Sequence, residues 1–293
     1  MRDDSIAFAG PDIPADILAR LGRTRGFVFD MDGTLLLGNE RNHDMKPLPG
    51  ALEITHWLSE HSIPFAVFTN GTARSPEEYA TTLRKLGFAL PDAAMMTPAS
   101  SAVDLFVQRG YKRVLVLGGD GLAMPLRKAG IGVVAPVGRP QADAVLIGWY
   151  REFTMNNLEA ACYAVWGGAQ AFSSSQAMFF ATAAGKTLGT SRAISAMLKD
   201  LTGCRVQIVG KPSLHALSAA ARRLGVRAKD LAVVGDDPEL EVPMAHRGRA
   251  LAIAVHTGLG DADSFSHLPS ARWPHLTVHG VDELLRLLQG QTL

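Results

Sequence analysis

The apolar residues of this chain fall into short unbroken runs, each ending abruptly in small or charged residues. Gly26-Phe27-Val28-Phe29 stops at Asp30, and Phe65-Ala66-Val67-Phe68 stops at Thr69-Asn70-Gly71. Residues 206–209 run into Gly210-Lys211, and Leu231-Ala232-Val233-Val234 runs into Gly235-Asp236-Asp237. Short continuous runs without alternation predict strands buried on both faces, as in a parallel sheet.

Between these runs the period changes. Residues 49–60 carry Leu52 and Leu58 on an amphipathic segment, and residues 213–224 set Leu214, Leu217, Ala221 and Leu224 at steps of three and four, so both predict helices. Ser75-Pro76-Glu77-Glu78 reads as a helix start. The serine can cap free N–H groups, proline suits the first helical position, and the acids oppose the positive end of the helix dipole. Strands alternating with helices predict an α/β fold with right-handed crossovers.

A second α/β series occupies the middle of the chain. Residues 114–117, 144–147 and 169–172 read as strands, separated by helices near 121–129 and 154–166. This series lies between the chemically marked strands rather than after them. The expected organisation is a Rossmann-like core of residues 1–108 and 206–293 interrupted by an inserted domain of residues 109–205, with hinges near 108–112 and 203–206. Residues 1–20 carry no clear pattern and are expected to be a loosely held extension.

Composition narrows the function classes. The 293 residues fit two domains at ~100–200 residues each. Lys and Arg number 29 against 28 Asp and Glu, a net charge of +1, which argues against an electrostatic nucleic-acid binder. Cys162 and Cys204 are too few for a disulfide framework or a cysteine-based zinc site. No apolar run approaches the ~20 residues that span a bilayer, and the acidic start Met1-Arg2-Asp3-Asp4 is unlike a secretory signal. A cytoplasmic protein without nucleic-acid or membrane partners is expected.

The near-neutral total hides a local excess of negative charge. Ligands of open parallel sheets bind beyond the carboxyl ends of the strands, and here those ends deliver Asp30, Asp32, Asp236 and Asp237. Such a cluster calls for a cation, and hard oxygen ligands favour Mg²⁺. Lys211 adds a second positive charge, so an anionic group such as a phosphate fits the site. In Asp30-Met31-Asp32-Gly33-Thr34 one carboxylate can attack phosphorus while the other handles the leaving-group proton, and Gly33 permits a tight turn of N–H groups toward the phosphoryl oxygens. An EF-hand reading fails because the glycine comes too early and a strand precedes it; a chance acidic turn is the bland alternative.

The other candidates have bland readings too. Thr69 and Asn70 either contact phosphate or cap a turn, and Lys211 either binds phosphate or is solvated. Gly118-Gly119-Asp120-Gly121 lacks the third glycine of a dinucleotide fingerprint and reads as a tight strand–helix turn. The nine histidines show no metal-ligand spacing and read as structural or surface residues, although His256 could approach the site. Ser174, Ser175, Gln176 and Lys186 lie where the insert would face the site, as loop residues or substrate contacts. Met178, Phe179 and Phe180 form an apolar cluster suited to core packing, a substrate pocket or a dimer contact.

Taken together, Asp30-Met31-Asp32-Gly33-Thr34, Thr69-Asn70-Gly71, Gly210-Lys211-Pro212 and Gly235-Asp236-Asp237 resemble the four motifs of the haloacid dehalogenase (HAD) superfamily of phosphatases. The large insert between the second and third motifs, Gly118-Gly119-Asp120-Gly121 and Thr257-Gly258 resemble its class IIA subgroup, over residues 22–288. The resemblance implies a HAD core with an inserted α/β cap, and Mg²⁺-dependent hydrolysis of a small phosphate monoester through an aspartyl-phosphate. It implies Asp30 as nucleophile, Asp32 as general acid and then base, and phosphate binding by Gly33, Thr69, Asn70, Gly71 and Lys211. The metal would be held by the carboxylates of Asp30 and Asp236 and the backbone carbonyl of Asp32. It also implies a homodimer. Where relatives carry further aspartates in the fourth motif this chain has Asp237, Pro238, Glu239 and Glu241, of which Asp237 and Glu241 are candidates for the metal shell. The insert's substrate loop, Phe172-Ser173-Ser174-Ser175-Gln176-Ala177, departs from the family pattern as well. Two further readings stay open: a phosphometabolite-sensing protein with weak activity, and a phosphotransferase acting on an alcohol acceptor.

Overall fold

A computed structural model describes residues 13–38, 45–182, 185–258 and 269–290, with side chains outside 179–186. Two parallel sheets organise them. The first contains six strands in the order Leu276–Val278, Leu251–Val255, Leu231–Gly235, Gly26–Phe29, Phe65–Phe68 and Met95–Met96. From Gly26–Phe29 the chain builds outward to Phe65 and Met95 on one side. After the insert it builds outward to Leu251 and Leu276 on the other. The strand order therefore reverses between Gly26–Phe29 and Leu231–Gly235, which opens a crevice beyond their carboxyl ends.

The four central strands are buried along their whole length because both faces are covered. Phe27, Phe29, Val67, Val234 and Ile253 pack with Ile54, Leu58, Tyr79, Leu83 and Leu284 on one side. Val28, Ala66, Phe68, Val233 and Ala252 pack with Leu217, Ala220, Val242 and Met244 on the other. The helix Pro76–Lys85 starts as its sequence predicts: Glu78 N–H donates to Ser75 Oγ at 3.3 Å, and Ser75 N–H donates to Glu78 Oε2 at 2.7 Å.

The second sheet has five parallel strands in the order Val206–Ile208, Gln170–Ser173, Ala144–Ile147, Arg113–Leu117 and Gly132–Val134. Helices Pro98–Gln108 and Asp120–Lys128 cover one face, and helices Met155–Trp166 and Thr190–Thr202 the other. Pro98–Gln108 also packs against Leu214–Leu224 of the first unit and so joins the two.

Three expectations change. Residues 98–108, expected at the end of the first core segment, form helix Pro98–Gln108, whose Ala99, Ala102, Leu105 and Phe106 pack on the insert's sheet, so the boundary falls before this helix. The run at 206–209 was expected to be a core strand, but Val206–Ile208 pairs in register with Ala171–Ser173 of the insert's sheet. A buried apolar run reports burial, not which sheet it joins. Part of the expected loose extension is also ordered: Ala15–Gly22 is a helix whose Leu21, with Ile13 and Ile17, packs on the core, and residues 1–12 lie outside the described residues. Among the described residues no helix is long and apolar enough to cross a membrane.

Candidate active site

Residues from five separated segments, around Asp30, Thr69, Lys211, Asp236 and Thr257, meet in the crevice. The ladder between the two central strands continues one residue past the end of Gly26–Phe29, Asp30 N–H donating to Val234 O at 2.8 Å. This brings Asp30 and Asp236 side by side at neighbouring strand ends. After Asp30 the chain turns tightly, with Leu36 N–H donating to Met31 O at 3.1 Å and Gly33 N–H donating to Leu36 O at 2.8 Å. Gly33 takes φ +83°, a left-handed conformation that glycine adopts without penalty. A Cβ on Gly33 or on Gly258 would also collide with the Asp236 carboxylate, so the two glycines form a cradle around it. Thr34 Oγ1 donates to Asp236 Oδ1 at 3.5 Å, and Thr257 Oγ1 donates to Gly33 O at 2.6 Å.

Lys211 is buried, with 2% exposure, and its ammonium contacts two carboxylates: Asp30 Oδ1 directly, and Glu241 Oε1 at 2.6 Å. Burial opposes its charge, but Asp30 and Glu241 outweigh that and hold its pKa above the ordinary lysine value. It therefore stays cationic. Glu241, 1% exposed, is pushed upward by burial, with Lys211 opposing, and its Oε2 accepts from Asp237 N–H at 3.2 Å.

Asp32 sits at the mouth of the crevice, open to a ligand but hemmed in by protein. That crowding, together with the neighbouring Asp30 charge, raises its pKa to about 7, against the opposing effects of Lys211 and a 3.4 Å hydrogen bond from Thr69 Oγ1. Asp237 is also pushed upward, chiefly by burial. Its Oδ1 accepts from Glu239 N–H at 2.8 Å, which shapes the loop.

Five carboxylates therefore gather around one lysine, and three of them are pushed toward protonation. This arrangement suits a cation. Among the described residues no three His, Cys, Asp or Glu side chains form a metal cage. Mg²⁺ does not need one, since it commonly takes one or two carboxylates and fills the remaining positions with water and substrate oxygens. Asp30 and Asp236, with a backbone carbonyl, meet that requirement.

The sequence-predicted residues sort clearly. Asp30, Asp32, Gly33, Thr69, Asn70, Gly71, Lys211, Asp236 and Asp237 converge on the crevice. Glu241, expected as a candidate for the metal shell, is instead engaged with Lys211. Ser174 and Ser175, expected as candidate substrate contacts, are 1% and 2% exposed. Ser174 Oγ lies 3.3 Å from Ser191 Oγ, and Ser175 Oγ accepts from Ala177 N–H at 3.1 Å, so their hydroxyls hold the loop instead of facing a ligand. Gln176 Nε2 donates to Ser195 Oγ at 3.4 Å. The side chain of Lys186, with those of Phe179 and Phe180, lies outside the described residues.

The insert meets the core beside the second motif. Trp149 N–H donates to Thr72 Oγ1 at 3.0 Å, and Gly121 packs so closely on the backbone carbonyls of Thr72 and Arg74 that a Cβ would overlap them. The glycine cluster at 118–121 thus serves a close approach between the two units. Thr34 and Thr72 have roles that the sequence did not reveal; both are small hydroxyl residues next to motif positions, a signal that is too common to single them out.

The fold and site together define a Rossmann-like α/β core carrying an acidic site, with an inserted α/β cap. Family models described as haloacid dehalogenase-like hydrolase and HAD-hydrolase-like match residues 27–132 and 208–284, between them well over half of the chain. Acid sugar phosphatase of Staphylococcus haemolyticus is 28% identical over 80% of this chain and 86% of its own length. Ribonucleotide monophosphatase NagD of Escherichia coli is 24% identical over 88% of this chain and 98% of its own. The crystal structure of a glycerol phosphate phosphatase from Mycobacterium tuberculosis, in complex with magnesium, superposes with a TM-score of 0.78 at 26% identity, covering 90% of this chain and 77% of that one. The chain belongs to the haloacid dehalogenase-like hydrolases, in the class IIA group. Phosphoric monoester hydrolase, the enzyme class expected from the sequence, is the class of these named relatives.

Proposed function

We propose that this protein is a Mg²⁺-dependent phosphatase that hydrolyses a small phosphorylated metabolite through an aspartyl-phosphate on Asp30. The observation that carries this reading is the contact of the buried Lys211 ammonium with Asp30, next to an Asp32 whose pKa lies near neutrality. The lysine contact orients the Asp30 carboxylate as a nucleophile, while Asp32 can hold or release a proton at physiological pH.

In the first step an Asp30 carboxylate oxygen attacks phosphorus, the ester P–O bond breaks, and protonated Asp32 gives its proton to the departing oxygen. In the second, Asp32 takes a proton from water as the water oxygen attacks phosphorus, and the Asp30–phosphorus bond breaks to release phosphate. Thr69, whose Oγ1 is oriented by the Gly71 N–H at 3.0 Å, the backbone N–H of Asn70 and the turn at Gly33 receive the phosphoryl oxygens. Mg²⁺, held by Asp30, Asp236 and the carbonyl of Asp32, would supply positive charge against those oxygens when bound. The insert, residues 109–205 together with helix Pro98–Gln108 and strand Val206–Ile208 that complete its layers, acts as a cap that keeps bulk water from the phosphoryl-enzyme. A cytoplasmic homodimer is part of the same reading.

Turnover of p-nitrophenyl phosphate tests it. The purified protein should release p-nitrophenol with Mg²⁺ and stop on chelation, and Asp30→Asn should be inactive. Metal-dependent turnover by Asp30→Asn would end the assignment.

A further inference from the structure

The Asn70 side chain is engaged by the lysine segment. Asn70 Oδ1 accepts from Lys211 N–H at 2.9 Å, and Asn70 Nδ2 donates to Lys211 O at 3.0 Å, so one amide reads both backbone groups of a residue 141 positions away. Lys211 needs such a hold because of where its segment lies. It follows Val206–Ile208, a strand of the cap sheet, and precedes Leu214–Leu224, a helix packed on the core sheet. Neither sheet fixes it. Upstream, Val209 is tied to the cap, its N–H donating to Ser173 O at 2.9 Å and its carbonyl accepting from Ser101 Oγ at 2.5 Å. The paired bonds to Asn70 connect this crossing to the core, one residue beyond Thr69.

We propose that Asn70 is a positioning residue that acts through Lys211: its side chain sets where the ammonium sits against Asp30 and does not itself grip the phosphoryl group. The proposal rests on the phosphatase reading. It separates two roles within the second motif, Thr69 presenting its hydroxyl to the crevice and Asn70 latching the third motif in place. Misplacing a catalytic group by about 1 Å can cost on the order of 100-fold in rate, which sets the scale of the effect.

The test is a double-mutant cycle with Lys211→Met, read on p-nitrophenyl phosphate turnover, alongside a crystal structure of the Asn70 variant. Asn70→Ala should lower kcat roughly 10- to 100-fold with KM changed less than about threefold. In the Lys211→Met background the same substitution should cost less than about threefold, because the group it positions is gone. Asn70→Asp, which keeps the acceptor but sets a carboxylate oxygen against the Lys211 carbonyl, should behave like Asn70→Ala and covers the case in which the alanine variant does not fold. The Asn70 variant's crystal structure should show the Lys211 ammonium displaced from Asp30. Equal losses in both backgrounds, or an unmoved lysine, would overturn the proposal. Absence of wild-type turnover would defeat the phosphatase reading instead, and the crystal structure would then decide the role of Asn70 by itself.

Discussion

Glu241 Oε1 lies 2.6 Å from Lys211 Nζ with both side chains buried, and this pair shares the lysine with the Asp30 carboxylate. The fourth motif therefore supports the third as well as facing the metal region. A buried cation held by two carboxylates tolerates the loss of one poorly, because the remaining partner must then compensate the desolvation by itself. Glu241→Gln should lower the unfolding free energy by about 1–3 kcal/mol in denaturant titrations and reduce kcat. The Mg²⁺ concentration for half-maximal activity should stay within about threefold of wild type. A large rise in that concentration would return Glu241 to the metal shell.

The Gly33–Gly258 cradle makes a separate prediction about Mg²⁺. Gly258→Ala places a methyl group where the Asp236 carboxylate now sits and within 2.8 Å of Gly33 Cα, so Asp236 and the turn at Gly33 must give way. The Mg²⁺ requirement should rise about tenfold or more, as positioned ligands lose geometry. Titration of activity against Mg²⁺, with circular dichroism to confirm the fold, measures this.

Gly121 supports the seam between cap and core. Because an added Cβ would overlap the carbonyls of Thr72 and Arg74, Gly121→Val should force the two units apart and cost about 1–3 kcal/mol in stability. It should also lower kcat/KM by displacing the loop that carries Thr69 and Asn70. Thermal unfolding and steady-state kinetics on the same preparation check both effects.

His275 gives a pH dependence remote from the active site. Partial burial, then the charges of Arg20 and His246, push its pKa down to about 4, and its Nδ1 accepts from Ala252 N–H at 2.9 Å only while neutral. Between an unfolded value near 6.5 and about 4, the unfolded chain binds a proton that the folded chain does not. Its contribution is therefore complete above pH 6.5 and lost as the pH falls through that window. Thermal midpoints measured from pH 7 to pH 4 should fall more steeply for wild type than for His275→Gln, whose amide oxygen can accept the same hydrogen bond without titrating. Parallel curves would remove His275 from the acid response.

Much of this architecture is legible in the chain itself. The runs ending in Asp30, Thr69 and Asp236 mark the carboxyl ends of core strands, because a doubly covered parallel strand must be apolar throughout and its chemistry can begin only where it stops. The Ser75 cap is local enough to be read from four consecutive residues. The sequence by itself therefore determined the strand–helix alternation, the interrupted core and the cluster of acids that needs a cation.

Tertiary structure decided the pairings. Residues 206–209 look like any other core strand, yet Val206–Ile208 completes the cap sheet, because hydrophobicity specifies burial and only packing selects the neighbour. Ser174 and Ser175 look polar enough for substrate, but the loop uses their hydroxyls internally. Glu241 reads as a candidate metal ligand until its partner, 30 residues earlier in the chain, is seen to be Lys211. Asn70 reads only as a phosphate contact in the chain, and the structure adds that its side-chain amide bonds that lysine's backbone. Such assignments depend on distances between residues far apart in the chain, and a linear pattern holds no information about which of several compatible partners lies within about 3 Å.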